Sequence, residues 1–464
     1  MSRDRFSVRV LVIFAVALGL RLLHVWQLRG TPFFDVLLGD AHSYDAWGQR
    51  LAAGDWIGTD VFYQAPLYPY FLGVLYTVFG HSLLAVRLVQ AVIGAGSAAV
   101  LAYAGRQWFS ERVGTIAGAM LALYAPAIFF DGLLQKSVLD LFLFALTLWL
   151  AARVYKHPER GREWLALGVT MGALSLTREN ALVLIGVVFL WSLLGIANQG
   201  SRAKRSLAFA AGLALVLLPV AARNYSVGGG FYLTTSQFGP NLFIGNNPKS
   251  DGTYMSLRYG RGAPEYERQD ATELAEHALG RTLTPSEVST YWTDRALDFI
   301  TSQPGQWLRL LGQKTLLLLN ASEMLDTESQ ESYAQYSLPL RAIGWIGHFG
   351  VLVPLATLGL ILAWPDRRRL ALLYAITATY SASVLMFYVF ARYRLPLVPL
   401  FILFGAHALA AVAAATQQHR RDKTWRLSTG MIASSAAVVT AIVIANWPLL
   451  STPLMMAITE TNLG

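Results

Sequence analysis

Residues 39–56 read "GDAHSYDAWGQRLAAGDW" and follow closely on a strongly apolar run at about 8–27. Five aspartates (Asp35, Asp40, Asp45, Asp55 and Asp60) fall in this stretch and its flanks, with no lysine or glutamate among them. The run before it has the roughly 20 residues that a bilayer span needs. It begins after arginines and carries no small-residue cleavage site, so it reads as a retained first span and not a removed leader. After Asp40 the spacing of Tyr44, Trp47 and Leu51 puts three large side chains on one helical face. The decisive feature is therefore a first membrane span whose far end opens into an acidic, helix-bearing loop.

The rest of the chain repeats the first half of that statement. Of 464 residues, 55% are hydrophobic and 14% charged, with a mean hydropathy of +0.43; soluble domains carry about 25% charge. Apolar runs recur at about 8–27, 83–105, 113–130, 137–153, 163–177, 180–197, 206–222, 341–364, 370–389, 396–415 and 428–447, which predicts about eleven spans. Two shorter or more amphipathic stretches, 66–79 and 306–320, read as interfacial helices. The expected fold class is all-α and polytopic, in three parts: a membrane module over 1–222 with its outside loop at 28–82, a loop region with amphipathic helices over 223–340, and a second membrane module over 341–464.

The net charge of +9 does not point to nucleic acid, because the basic residues sit in short clusters between apolar runs and so signal topology. With the N-terminus in the cytoplasm, the inside segments hold 19 lysines and arginines, including Arg367–Arg369, Arg420, Arg421, Lys423 and Arg426. The short outside segments hold six: Arg29, Arg50, Lys136, Arg178, Arg392 and Arg394. The chain has no cysteine, which excludes disulfides and thiol chemistry. In the second outside loop, "TTSQFGPNLFIGNNPKSDGTY" is turn-rich. Further on, Thr284, Pro285 and Glu287 form a capping box before a helix.

Ionisable groups at membrane depth are costly and tend to face a cavity. Here the outside-facing span ends carry Asp131, Gln135 and Lys136 in "FFDGLLQKSVLD", Arg178 and Glu179 in "TREN", Arg223, and Arg392 and Arg394 in "ARYRLP". Asp40 and His42 lie in the opening stretch, and Arg21 sits within the first span. Arginine and lysine suit a phosphate, and a carboxylate suits the deprotonation of an attacking hydroxyl. Together they fit transfer from a membrane-embedded phospholipid carrier to an outside acceptor. Each feature has a plainer reading beside it. A span-end cation can be a snorkelling anchor, Asp40 an N-cap, and Asp131 the cap of the fourth span. Asp45, Asp55 and Asp60 are most simply solvated or turn residues. His24, His42 and His81 read as packing or interface residues, and no pair of them has metal-ligand spacing. The "GNNP" turn around Asn246 is either turn chemistry or a source of amides for a sugar.

The order of these segments resembles a known group. "GDAHSYDAWGQRLA", "YQAPLYPYFLGVLYTVFG", "AVRLVQAVIGAGSAAVLAYAGRQWFSERVGTIAGAMLALYAPAIFF", "LDLFLFALTLWLAA", "GALSLTRENALVL" and "ARYRLPLVP" are similar to the GT-C superfamily of polytopic glycosyltransferases. The match is closest to the protein O-mannosyltransferase and aminoarabinose-transferase branch, glycosyltransferase family 39-like, over about the first 200 residues and again at 385–415. The resemblance implies a GT-C fold and a multi-pass plasma membrane (bacterial inner membrane) enzyme with its active site on the extracytoplasmic face. It implies a sugar donor carried on a polyprenyl phosphate and an acceptor that is protein, lipid or glycan. It implies Asp40 as catalytic residue, with Tyr44 one helical turn later. Arg392, Arg394, Lys136 and Arg178 are the candidate phosphate-binding residues. His42, Asp131, Glu179, Arg223 and Asn246 are candidate supporting residues. No cofactor is required and no metal is demanded, although Asp40 with Asp131 or Glu179 could bind one. Relatives often have an acidic pair where this chain has Asp40-Ala41, and Lys-Gly where it has Arg178-Glu179. Two rival readings remain: a ligase or polymerase of lipid-linked glycans, and a transporter or flippase. Transporters usually show pseudo-symmetric halves, and the halves here look unlike.

Overall fold

The structure is a computed structural model that describes residues 2–194, 201–228, 230–262, 264–422 and 429–463. Among these, the regular elements are all helices. Lys423 and Arg426 of the last basic cluster lie outside the described residues.

Among the described residues, six helices are long and apolar enough to cross a membrane: Arg5–Leu28, Leu83–Trp108, Ser137–Lys156, Arg202–Gly228, Phe349–Asp366 and Ala391–Gln418. A seventh span forms if Glu111–Ala122 and Ala125–Gly132, bent by 51°, are taken together. The other four expected spans coincide with Gly161–Ser175, Leu182–Leu194, Ala371–Leu385 and Thr429–Asn446. Gly161–Ser175 and Ala371–Leu385 have only 15 residues each. At 1.5 Å per residue they rise just over 20 Å, short of a full hydrocarbon core of about 30 Å. They are short because the chain turns into the site at their outer ends: Gly161–Ser175 stops before Arg178, and Ala371–Leu385 before Arg392. The two stretches read as interfacial form Leu67–Phe79 and Pro304–Leu319.

Small residues set the helix contacts. A Cβ on Gly168 or Gly212 would strike backbone atoms of the facing helix, so Gly161–Ser175 and Arg202–Gly228 meet backbone to backbone there. Such small-residue seams let membrane helices approach where no hydrophobic gain between helices is available. The Thr284 capping box forms as expected: Thr284 N donates to Glu287 Oε2 at 2.8 Å, and Glu287 N to Thr284 Oγ1 at 3.4 Å.

The two outside loops are tied to the membrane helices and to each other. Phe62 N donates to Asn224 Oδ1 at 3.2 Å, and Ser236 N to the Phe62 carbonyl at 3.0 Å. Ala391 N donates to the Met324 carbonyl at 2.9 Å, and Val389 N to the Gly252 carbonyl at 2.9 Å. Helices Phe238–Gly245 and Pro285–Ser302 pack so closely that a Cβ on Gly239 would collide with the Ser289 carbonyl.

Candidate active site

Asp40 is the first residue of helix Asp40–Ala52. The residue before it, Gly39, has φ +54, and an added Cβ would lie 2.6 Å from Thr327 Cγ2. A side chain is thus excluded both by backbone conformation and by space. This close approach sets Asp40 against the second-loop segment that carries Asp326.

The Asp40 carboxylate lines a cavity of about 880 Å³, within the range of ligand sites. Lys136, Arg178 and Arg392, three of the four expected phosphate ligands, line the same space, as do Glu179 and Tyr44. Each comes from a different break between helices: Lys136 from the turn before Ser137–Lys156, Arg178 from the turn after Gly161–Ser175, and Arg392 from the four-residue helix Ala391–Arg394. Arg392 forms the centre. One terminal nitrogen donates to Asp40 Oδ2, and the other pairs with Asp326 Oδ2 at 2.8 Å. Asp40 also accepts from Gln64 Nε2 at 2.9 Å and, at a long 3.4 Å, from the Tyr44 hydroxyl.

Burial alone would raise the Asp40 carboxyl. The charge and hydrogen bond of Arg392, the charge of Lys136 and the Gln64 bond outweigh it, so Asp40 titrates below the ordinary carboxylate range. Asp326 goes the other way: burial lifts it to about 6 although the Arg392 charge opposes the rise. Burial lowers the Lys136 ammonium, against the pull of Glu179. Two carboxylates and one guanidinium therefore share the site with their proton affinities pushed apart, the pattern expected where groups have different tasks.

Arg178 is held by Asp140, at 3.0 Å from Nε and 2.5 Å from a terminal nitrogen, with its guanidinium 5.0 Å from the Tyr393 ring centre. Glu179 accepts from Gln237 Nε2 at 2.6 Å and Thr235 Oγ1 at 3.2 Å, with Lys136 Nζ 3.9 Å away. Glu267, on helix Pro264–Leu279, also lines the cavity and accepts from the Tyr63 and Tyr254 hydroxyls at 2.8 and 2.9 Å. Burial raises its carboxyl.

The other expected site residues lie elsewhere. Arg394, two residues from Arg392, is buried in the packing. It donates to the carbonyls of Leu317, Leu318, Asn320 and Ser322 and pairs with Glu323 at 2.9 Å. It closes the end of Pro304–Leu319, whose last carbonyls lack helical partners, and does not line the cavity. Asp131 pairs with Arg21 at 2.6 Å, both about 1% exposed, inside the helix packing; neither lines the cavity. His42 is exposed and off the cavity. Arg223 clasps the first loop, donating to the Ile57 and Asp60 carbonyls, and lines a separate, smaller hollow. Asn246 donates to the Leu242 and Met386 carbonyls and accepts from Trp307 Nε1 at 3.1 Å and Lys314 Nζ at 3.3 Å, so its amide is spent on the scaffold. Asp45, expected in solvent, is buried and bound by Tyr76 Oη at 2.5 Å, Gln49 Nε2 at 2.7 Å and His81 Nε2 at 2.9 Å.

Asp326, Glu267, Gln64 and Asp140 were missed from the sequence. Asp140 carried a signal, being an acid inside the apolar run 137–153. Asp326 sits in "SEMLDTES" with no pattern to separate it from its acidic neighbours. Among the described residues, no three His, Asp or Glu side chains gather as a metal site.

Residues 63–224 match the family profile described as dolichyl-phosphate-mannose-protein mannosyltransferase. No curated protein matches. Among solved structures, the oligosaccharyltransferase of Archaeoglobus fulgidus in complex with Zn and sulfate aligns with a TM-score of 0.52 and 14% identity. The alignment covers 98% of this chain and 57% of that one. The same enzyme with an inhibitory peptide and a dolichol-phosphate aligns at 0.50 and 14%, covering 100% and 56%. ArnT from Cupriavidus metallidurans bound to undecaprenyl phosphate aligns at 0.40 and 17%, covering 97% and 87%. This chain spans just over half the length of the oligosaccharyltransferase. It is a polytopic membrane protein with the GT-C fold, as its segment order led one to expect. Over residues 63–224, about a third of the chain, it resembles the dolichyl-phosphate-mannose-protein mannosyltransferase family.

Proposed function

We propose that this chain is a glycosyltransferase that moves a sugar from a polyprenyl-phosphate donor to an acceptor on the extracytoplasmic face. The observation that carries the reading is Arg392, which bridges Asp40 and Asp326 in one cavity with Lys136 and Arg178. These three cations reach the cavity from three chain breaks beside four lining carboxylates (Asp40, Glu179, Glu267 and Asp326), and a lipid phosphate that takes the place of a carboxylate on Arg392 is the anion this set suits. The dolichol-phosphate held by the structurally similar oligosaccharyltransferase supports this choice of donor.

The acceptor hydroxyl attacks the anomeric carbon, the bond from that carbon to the phosphate oxygen breaks, and Asp40 takes the hydroxyl proton. The electron pair leaves on the phosphate, where Lys136, Arg178 and Arg392 stabilise the added charge. One displacement inverts the anomeric configuration. Before donor binds, Arg392 holds Asp40 as a weak base. A phosphate that engages Arg392 draws it off Asp40 and raises the affinity of Asp40 for a proton.

The excess of lysine and arginine on alternate loops supports an N-terminus in the cytoplasm and a site outside the bacterial inner membrane. The 223–340 segment would roof the site and help to choose the acceptor. The test is Asp40→Asn, assayed for transfer from labelled polyprenyl-phosphate sugars and, separately, for polyprenyl-phosphate binding. Transfer should fall at least about 10²-fold with binding retained; transfer near the wild-type rate refutes the base.

A further inference from the structure

A second hollow, of about 360 Å³, opens beside the first and shares Tyr63 and Gln64 with it as a dividing wall. Gln64 in that wall is the residue that donates to Asp40. The hollow is built from the first outside loop. Trp47, Trp56, Phe62 and Tyr70 form an aromatic cluster with ring centres 5.3 to 6.4 Å apart, and Trp56 remains 38% exposed. Polar groups surround the rings: Arg50, Asp60 and Arg268 among them.

The loop is held open. Arg223 Nε donates to the Ile57 carbonyl at 2.7 Å and its guanidinium lies 3.8 Å from the Phe62 ring centre. The Asp55 carboxylate accepts from Gly58 N at 2.9 Å, where φ is +68. Tyr70 Oη donates to the Trp56 carbonyl at 2.5 Å. Four separate fastenings on an exposed, glycine-containing loop maintain a concave surface that would otherwise collapse. Among the described residues, the Arg50 guanidinium engages no protein group.

We propose that this hollow is a carbohydrate-binding subsite that seats a sugar ring of the acceptor next to Asp40. Indole and phenol faces match the C–H face of a pyranose, while an arginine without a protein partner and an acid–arginine pair (Asp60 with Arg268, 3.4 Å) match ring hydroxyls. The position fits the chemistry, since a hydroxyl presented past Gln64 meets the carboxylate that removes its proton. A glycan acceptor, in preference to a peptide, follows from the aromatic cluster, whose rings are inclined by 47–81° to one another, with donors and acceptors at its edge. The inference rests on the transfer reading only in naming the bound sugar as acceptor.

The test uses the purified full-length protein and saturation-transfer NMR with maltose, cellobiose, mannobiose and N,N′-diacetylchitobiose, and a serine- and threonine-containing hexapeptide alongside. At least one disaccharide should bind saturably. Trp56→Ala and Arg50→Ala should each weaken it about tenfold, the scale of an aromatic or charged contact. His42→Ala, at an exposed position that lines neither hollow, should leave it unchanged. Retained binding of polyprenyl phosphate shows that the variants are folded, and Arg50 has no scaffold contact to lose. No disaccharide binding, binding indifferent to both substitutions, or peptide binding that the substitutions abolish instead, each overturns the proposal. Because disaccharide binding is read without donor or turnover, an Asp40→Asn variant that transfers normally leaves this result standing, and the reverse also holds.

Discussion

Arg392 and Arg394 stand two residues apart in one short helix, both almost wholly buried, and do opposite work. Arg392 meets two carboxylates with different proton affinities on the wall of a cavity. Arg394 meets four backbone carbonyls and Glu323 inside the packing. Asp40 and Asp45 repeat the contrast on helix Asp40–Ala52: one faces the cavity, the other is bound by Tyr76, His81 and Gln49. Burial of a charge therefore does not mark function here. What marks it is a set of partners that leaves room for a ligand and can be exchanged for one.

Substitution should separate the two arginines. Arg394→Ala leaves Glu323 and a helix end without partners, and should cost about 3–5 kcal/mol of stability. A thermal unfolding scan in detergent should show a clear drop, with donor affinity of the remaining folded protein near normal. Arg392→Ala should weaken polyprenyl-phosphate binding on the order of 10- to 100-fold, the range of a charge-assisted hydrogen bond, and slow transfer further. If Arg394→Ala were the variant that lost donor affinity at unchanged stability, the comparison would be reversed. A smaller effect falls on the two aspartates: Asp45→Asn should lower stability by about 1–3 kcal/mol and change transfer within about twofold.

The smallest effect concerns pH. Asp326 is neutral below about 6 and anionic above it. A phosphodiester keeps its single negative charge throughout. Above that pH the Asp326 carboxylate competes with phosphate for Arg392, so donor affinity should fall as pH rises through about 6, by roughly fivefold, equivalent to about 1 kcal/mol. Asp326→Asn should flatten the step; a step that persists in this variant assigns it to another group.

Much of this was legible in the sequence. Apolar runs of bilayer length located the helices, and acids and cations at their outer ends located Asp40, Lys136, Arg178 and Arg392. Pattern could not choose between Arg392 and Arg394, because both lie at the same helix end and the choice depends on which one meets carbonyls from 317–322. For the same reason Asp131 read as a supporting acid or a helix cap: its partner Arg21 is 110 positions away. A short helix was overextended where apolar composition continued past the point at which the chain turns toward the site, as at 370–389, where the helix ends at Leu385. Asp326 and Glu267 come from the second loop, where neither apolar period nor charge pattern marks which acid folds inward.

The most direct test of the central claim is a structure of the full-length protein with polyprenyl phosphate bound. Phosphate within hydrogen-bond distance of Lys136, Arg178 and Arg392, with Asp40 facing the space beside it, is the predicted result. A phosphate seated away from these three cations, with Arg392 still bridging Asp40 and Asp326, would contradict the account.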